Sequence, residues 1–323
     1  MKLPVSTHDL ADRIFRSHRY FWIKLVRAAI TSFLILVLSF FMIHSSGNPA
    51  QIFLGGEATP EMVAAFNVRW GLDRPLQIQF LSYLQQVAKG DLGNSLLRGE
   101  PVIDIFFTHL PATLSLMIPC ALISITLGIA LGFVAAMKKQ TTIDHLMMIG
   151  STIGYSLPNF FFGVLLIFIF SIVLGWLPSS GNETFAHYIM PVLTIVTADI
   201  AIFTRFSRSS FIDVYEHPYI NNFKALGVSE RRILLQEALP NASIALLSIS
   251  GFYVGSLISG AIVTETIFSW PGIGSLLVSS MKARDFPLVQ GLTLILGFSI
   301  VGVNLLVDIL HGIIDPRIRK GGK

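Results

Sequence analysis

The chain has 323 residues, of which 53% are hydrophobic and only 13% charged, with a mean hydropathy of +0.68. Soluble domains carry about 25% charged residues, so this composition excludes a soluble enzyme and a disordered chain alike. The formal charge of +4 comes from short basic clusters spread along the sequence; that spread argues against nucleic acid as a partner and leaves membrane lipid. The single cysteine, Cys120, excludes intrachain disulfides and cysteine-based zinc sites.

A helix needs about 20 apolar residues to cross roughly 30 Å of hydrocarbon. In chain order the stretches that qualify are 25–44, 112–137, 146–176, 190–206, 243–268 and 289–314. Helices are expected throughout, because open strands cannot satisfy their backbone groups in lipid. The third stretch is long and carries Pro158 and Asn159, which predict a break or a kink. The fourth is short and carries Asp199. The sequence therefore divides into an N-terminal segment (1–24), a first span (25–44), an outer loop region (45–111), a five-helix core (112–314) and a tail (315–323).

Basic residues set the orientation. Seventeen Lys and Arg residues fall in the N-terminal segment, the loops after the second and fourth spans and the tail, against six on the opposite side. Both termini are expected in the cytoplasm. The basic and apolar regions of the N-terminus are both too long for a cleaved signal peptide, so the first span is expected to stay. The outer region 45–111 has turn signals at Gly55-Gly56, Gly71, Gly90 and Gly99-Glu100-Pro101, and reads as a small lid on the outer face.

Catalytic and cofactor motifs are missing. No lysine-bearing phosphate loop occurs, and the eight histidines are never four apart, so no helix offers a paired metal-binding face. Gly154-Tyr155-Ser156 and Gly297-Phe298-Ser299 read G-x-S within spans, with His311 in the last span. Ser299 and His311 are twelve residues apart on one expected helix, about 18 Å of rise, so they cannot form a protease pair. The serines read as small residues at helix contacts. No catalytic or metal-binding residue is assigned.

Three acids sit within spans: Asp199, Glu265 and Asp308. An ionisable group in lipid is expensive and faces a cavity or a partner, so all three are candidates for the pathway or its gating. Glu265 and Asp308 lie near span ends, which favours a role in tying helices together; Asp199 is central in its span and is the stronger pathway candidate.

The inner loop 207–242 holds apolar groups at Tyr219, Ile220, Phe223 and Leu226, an i, i+3/i+4, i+7 stripe. Gly227 fits a helix stop, and Ser229 can cap a second helix from Glu230. Such an amphipathic helix docks in a partner's groove or lies on the membrane surface.

Residues 219–242 resemble the coupling loop of bacterial ABC-importer permeases, E-A-A-x-x-x-G followed by I-x-L-P. Gly227, Leu239 and Pro240 keep the spacing, Ala225 fits the peptide-permease version, and Asn221, Asn222 and Phe223 replace the usual acid and alanines. Further stretches resemble the dipeptide/oligopeptide/nickel branch: Gly71-Leu72-Asp73-Arg74-Pro75-Leu76, Gly90-Asp91-Leu92-Gly93-Asn94-Ser95, Leu110-Pro111-Ala112-Thr113-Leu114 and Leu174-Gly175-Trp176-Leu177-Pro178. So do Glu265-Thr266-Ile267-Phe268-Ser269-Trp270-Pro271-Gly272-Ile273-Gly274, Asn304-Leu305-Leu306-Val307-Asp308 and Asp315-Pro316-Arg317. The resemblance implies an all-α type I importer permease in the bacterial inner membrane, with six transmembrane helices. It implies a second homologous permease subunit, two cytoplasmic ABC ATPase subunits that bind the ATP and Mg, and an extracytoplasmic solute-binding protein. No cofactor is expected in this chain. Tyr219, Ile220, Phe223, Ala225, Leu226, Gly227, Leu239 and Pro240 would then form the ATPase-coupling loop, and Gly90, Asp91 and Gly93 would dock the binding protein. Transport would run by alternating access, with peptides as cargo and nickel or a metal chelate as the alternative. A channel or stand-alone proton-coupled carrier using Asp199 and Glu265 is the competing class.

Overall fold

The computed structural model describes residues 7–45, 54 and 58–314. The expected motif Asp315-Pro316-Arg317, the tail and the Gly55-Gly56 turn lie outside the described residues. Among those described, regular structure is helical, apart from an isolated antiparallel bridge between Asn94 and Pro101.

The order is α1 (Thr7–Ser45), α2 (Pro60–Trp70), α3 (Leu76–Ala88), α4 (Val102–Met137), α5 (Thr142–Ser156) and α6 (Asn159–Leu166), which widens into a π-helical stretch at Ile167–Val173. Then come α7 (Phe185–Tyr215), α8 (Pro218–Ala225), α9 (Glu230–Ile233), a second π-helical stretch (Leu234–Ala238), α10 (Leu239–Ile267), α11 (Ile273–Lys282) and α12 (Phe286–Ile314). Helices α1, α4, α7, α10 and α12 each contain a segment long and apolar enough to cross a membrane. The pair α5–α6 is bent by 92° and, counted as one crossing, completes the six expected spans. Its break falls at the Leu157-Pro158 step anticipated from sequence. Leu157 is extended (φ −82°, ψ 121°), as a residue before proline prefers, because the ring crowds the helical conformation there.

Three boundaries move. Helix α1 runs unbroken through position 24, so the N-terminal segment and the first span share one helix. Lys24, the last residue of the expected N-terminal segment, is paired with Asp308 of α12 at 2.7 Å. Helix α4 begins ten residues before 112, because Val102, Ile105 and Phe106 pack on Ile273 and Leu276 of α11 and on Leu288 and Leu292 of α12. Helix α7 spans 31 residues instead of the short stretch 190–206. Its polar positions Ser207 and Ser210 are buried against the chain itself, so they need no apolar character to remain helical.

The main core lies where α4, α7 and α10 meet: Leu116, Met117 and Cys120; Ile195, Val196 and Phe203; Tyr253, Leu257 and Ala261; and the fully buried Trp270. The α4–α7 contact is close because two glycines one turn apart face the second helix. A Cβ built on Gly128 would lie 2.3 Å from Phe203 Cβ, and one on Gly132 would lie 2.6 Å from the Thr204 carbonyl oxygen. In lipid, where apolar side chains gain nothing by leaving solvent, such small-residue seams supply the packing that holds helices together. Ser207 Oγ adds a hydrogen bond to the Ile129 carbonyl at 3.2 Å.

Candidate functional site

On the cytoplasmic side of the expected topology, α8 opens with Pro218, whose missing N–H costs nothing in a first helical turn. Ile220 is completely buried, while Tyr219 and Phe223 are half-buried and meet edge-on with ring centroids 6.4 Å apart. Asn241 Nδ2 donates to Tyr219 Oη at 3.3 Å and so ties α8 to the start of α10. The stripe read from the sequence is thus split. Ile220 anchors the helix to its own chain and is not offered to a partner, which corrects its expected exposure. Ala225 and Gly227 are exposed, and Leu226 is 78% exposed.

Gly227 closes α8 as expected. It has φ +72°, and the Val228 N–H donates to the Phe223 carbonyl at 3.1 Å across the turn, the closure that satisfies last-turn carbonyls. Helix α9 starts at Glu230, and Leu239 and Pro240 begin α10 with exposed side chains. Nearby, the C-terminal turns of α7 are joined to the start of α5 and to the turn before it by ion pairs. Arg208 Nε and Nη2 donate to the two oxygens of the buried Asp144 at 2.6 and 2.7 Å, and the Gln140 N–H adds a third bond at 2.9 Å. Lys139 pairs with Glu216 one residue beyond α7.

The membrane acids separate into ties and one remaining candidate. Glu265 is fully buried. Thr113 Oγ1 donates to its Oε1 at 2.7 Å, and the Gly274 and Ser275 N–H groups donate to Oε2 at 2.7 and 3.1 Å. The carboxylate caps the first turn of α11, where unpaired N–H groups favour an anion, and Gly272 leaves it room. Trp270 Nε1 completes the knot by donating to the Ala112 carbonyl at 2.7 Å. Glu265 and Asp308 thus tie helices together, the role their places near span ends favour: Thr113 Oγ1 and the Gly274 and Ser275 N–H groups hold the oxygens of one, and the other is paired with Lys24. Glu265→Ala should lower the thermal stability of the purified protein by about 2 kcal/mol or more, since it leaves buried donors unpaired. An unchanged melting temperature would contradict the capping role. Asp199 remains, halfway along α7 and half-buried, with Tyr253 Oη of α10 donating to its Oδ2 at 2.5 Å.

In the outer region, Asp91 Oδ1 accepts from the Gly93 N–H at 2.9 Å, and the Gly93 carbonyl accepts from the Val102 N–H at 3.0 Å. The following turn is gripped by the buried Asp285, which accepts from Ser95 Oγ and from the Leu96 N–H, the latter at 3.0 Å. Gly90 and Asp91 are exposed and Gly93 is half-buried, in a turn that its next residues hold to α12 through Asp285.

Residues 128–320 match the family described as binding-protein-dependent transport system inner membrane component, and residues 18–117 match its N-terminal region. The chain belongs to this family. The permease is 39% identical over 290 residues to the glutathione transport system permease protein GsiC of Escherichia coli, covering 90% of this chain and 95% of that one. It is 38% identical over 290 residues to the protein of that name from Salmonella typhimurium, with the same coverage of 90% and 95%. Among solved structures it is similar to the MetNI methionine ABC transporter in an inward-facing conformation, at 12% identity and a TM-score of 0.54, covering 65% of this chain and 96% of that one. A crystal structure of an amino acid ABC transporter with histidines matches at 15% identity and a TM-score of 0.52, covering 65% and 94%. These two likenesses show the type I importer fold.

Sequence reading missed several residues that organise the permease. Thr113 stood inside a resembling motif without a role, and the structure gives it one: it donates to Glu265 while accepting from the Ile273 N–H at 2.8 Å. Asp144 and Arg208 are 64 positions apart and meet only when α5 folds onto α7. Asp285 had a visible signal, an acid directly before the apolar run of α12. Its partners, 188–190 residues away, had none.

Proposed function

We propose that this permease forms one half of the translocation pathway of an ATP-driven importer for di- or oligopeptides. A second homologous permease completes the pathway, two cytoplasmic ABC ATPases supply the energy, and an outer binding protein delivers the cargo. The observation that carries the peptide reading is the 39% identity, sustained over 90% of the chain, to a permease named for glutathione, itself a tripeptide. Both termini lie in the cytoplasm on this reading, supported by seventeen basic residues against six. In that orientation α8, with Ala225 and Leu226 exposed at its end, faces the ATPases. ATP-driven closure pushes on α8, and the helices that pack on it rock as a body to turn the cavity from inward to outward facing.

The cargo is tested with the complete complex in liposomes. Glutathione-loaded or trialanine-loaded binding protein should stimulate ATP hydrolysis and accumulate the peptide. Stimulation by chelated nickel with no response to either peptide would replace the peptide reading with the metal one.

A further inference from the structure

Asp199 is the membrane acid that the fold does not consume. It lies nine residues from the start and seven from the end of the apolar stretch 190–206, about 14 and 11 Å of helix, near the middle of that expected span. Its hydrogen-bond partner is Tyr253 Oη, on Oδ2 at 2.5 Å, and none of the ion pairs among the described residues includes it. The contrast with the other two acids is direct: Glu265 accepts from Thr113 Oγ1 and from two backbone N–H groups, and Asp308 is paired with Lys24.

The carboxylate sits at the seam of α7 and α10. Tyr253 approaches it from the buried core, and one turn along α10 from Tyr253 the side chain of Ser256 is exposed. Asp199 is itself only half-buried, and its α7 neighbour Ile202 is 38% exposed. One edge of this acid therefore opens outside the chain at the depth of the hydrocarbon. An ionised carboxylate opening on lipid is expensive, whereas one lining a water-filled cavity is functional. The donor set narrows the ligand. One carboxylate steadied by one phenol suits a cation that brings several N–H donors of its own. A divalent metal calls for three or more protein ligands, and no such group of His, Cys, Asp and Glu gathers anywhere among the described residues.

The geometry points to Asp199, held by Tyr253, as a binding site in the translocation pathway for a primary ammonium group of the cargo, such as the amino terminus of a peptide. The assignment rests on the peptide reading for its natural cargo and on the α7–α10 seam for its existence. A single ion pair is weak, which suits a site that cargo must leave as readily as it enters. Tyr253 is a positioning residue: its hydroxyl occupies one carboxylate oxygen and leaves the other for the ligand.

Two readouts separate the site from the cargo. In the complete complex in nanodiscs, with Cys120→Ser as background, Ser256→Cys should react at least about tenfold faster with an ammonium-bearing methanethiosulfonate than with a sulfonate-bearing one. Adding Asp199→Asn should collapse that preference. In liposomes, Asp199→Asn should cut trialanine uptake about tenfold or more while Asp199→Glu keeps most of it. No labelling at Ser256→Cys, or a charge preference that survives Asp199→Asn, overturns the site; so does wild-type trialanine uptake by the Asp199→Asn complex. If the labelling pattern appears but the wild-type complex ignores trialanine, the cation site stands and the peptide reading falls.

Discussion

Gly132→Leu should prevent the permease from folding into a stable helical core. A Cβ at this position meets the Ser207 Cβ at 2.5 Å, the Thr204 carbonyl at 2.6 Å and the Arg208 nitrogen at 2.9 Å. Two of those three atoms are backbone, so no rotamer change relieves the contact and α4 must separate from α7. Overpacking of flexible side chains costs about 1–3 kcal/mol, and this contact belongs at or above the upper end. The separation would also pull Arg208 away from Asp144, exposing the bidentate pair. Gly150→Leu is the matched control, because a Cβ there meets nothing within 4 Å. Purified Gly132→Leu protein should aggregate or melt far below wild type, and the Gly150→Leu protein should be monodisperse. Equal melting temperatures for the two would contradict the close α4–α7 seam.

The second large effect concerns coupling. Leu226→Asp places a charge on the most exposed apolar side chain of the segment, at 78% exposure, and Ala225→Asp does so one residue earlier. Both should insert and fold normally, because neither side chain is buried within the chain. Both should lose the ATPase subunits on purification or hydrolyse ATP without transport, with transport reduced roughly tenfold or more, equivalent to about 1.4 kcal/mol of docking energy. Gly227 separates shape from charge. Its φ of +72° strains any residue with a Cβ, at about 1 kcal/mol, yet a Cβ there meets nothing within 4 Å. Gly227→Asn should therefore retain most activity, since Asn tolerates the left-handed conformation, while Gly227→Glu should fail. Wild-type transport by Leu226→Asp and Ala225→Asp together would contradict the coupling role of α8.

Much of this fold is legible in the sequence because its rules are local. Apolar length gives the spans, Pro158 gives the bend in α5–α6, and Gly227 gives the end of α8. Helix ends are less legible, since burial against the chain itself replaces burial in lipid. The polar turns of α7 beyond Phe206 and the first turns of α4 are helical because Ser207 and Ser210, and Val102, Ile105 and Phe106, find partners far away in sequence. Proline is a poor stop signal for the same reason: Pro111 and Pro119 both lie inside α4.

The site divides in the same way. The amphipathic stripe of α8 is readable, but not which of its members the chain keeps for itself, and Ile220 turned inward. Glu265, Asp308 and Asp199 look alike in sequence as acids among apolar residues. Only folding shows that the first is capped by the N–H groups of Gly274 and Ser275, that the second meets Lys24 from the other end of the chain, and that the third meets a phenol. Position near a span end was the one local clue, and the two acids so placed, Glu265 and Asp308, are the two that meet helix N–H groups and a lysine, because ends are where caps and cations are available.

The most direct test of the account is uptake by liposomes that contain the two permeases with and without their ATPases. The complete complex, with ATP enclosed and loaded binding protein outside, should accumulate trialanine, and omitting ATP or the ATPases should abolish accumulation under any imposed proton gradient. Accumulation driven by a proton gradient through this chain alone would contradict the account and make the protein a carrier.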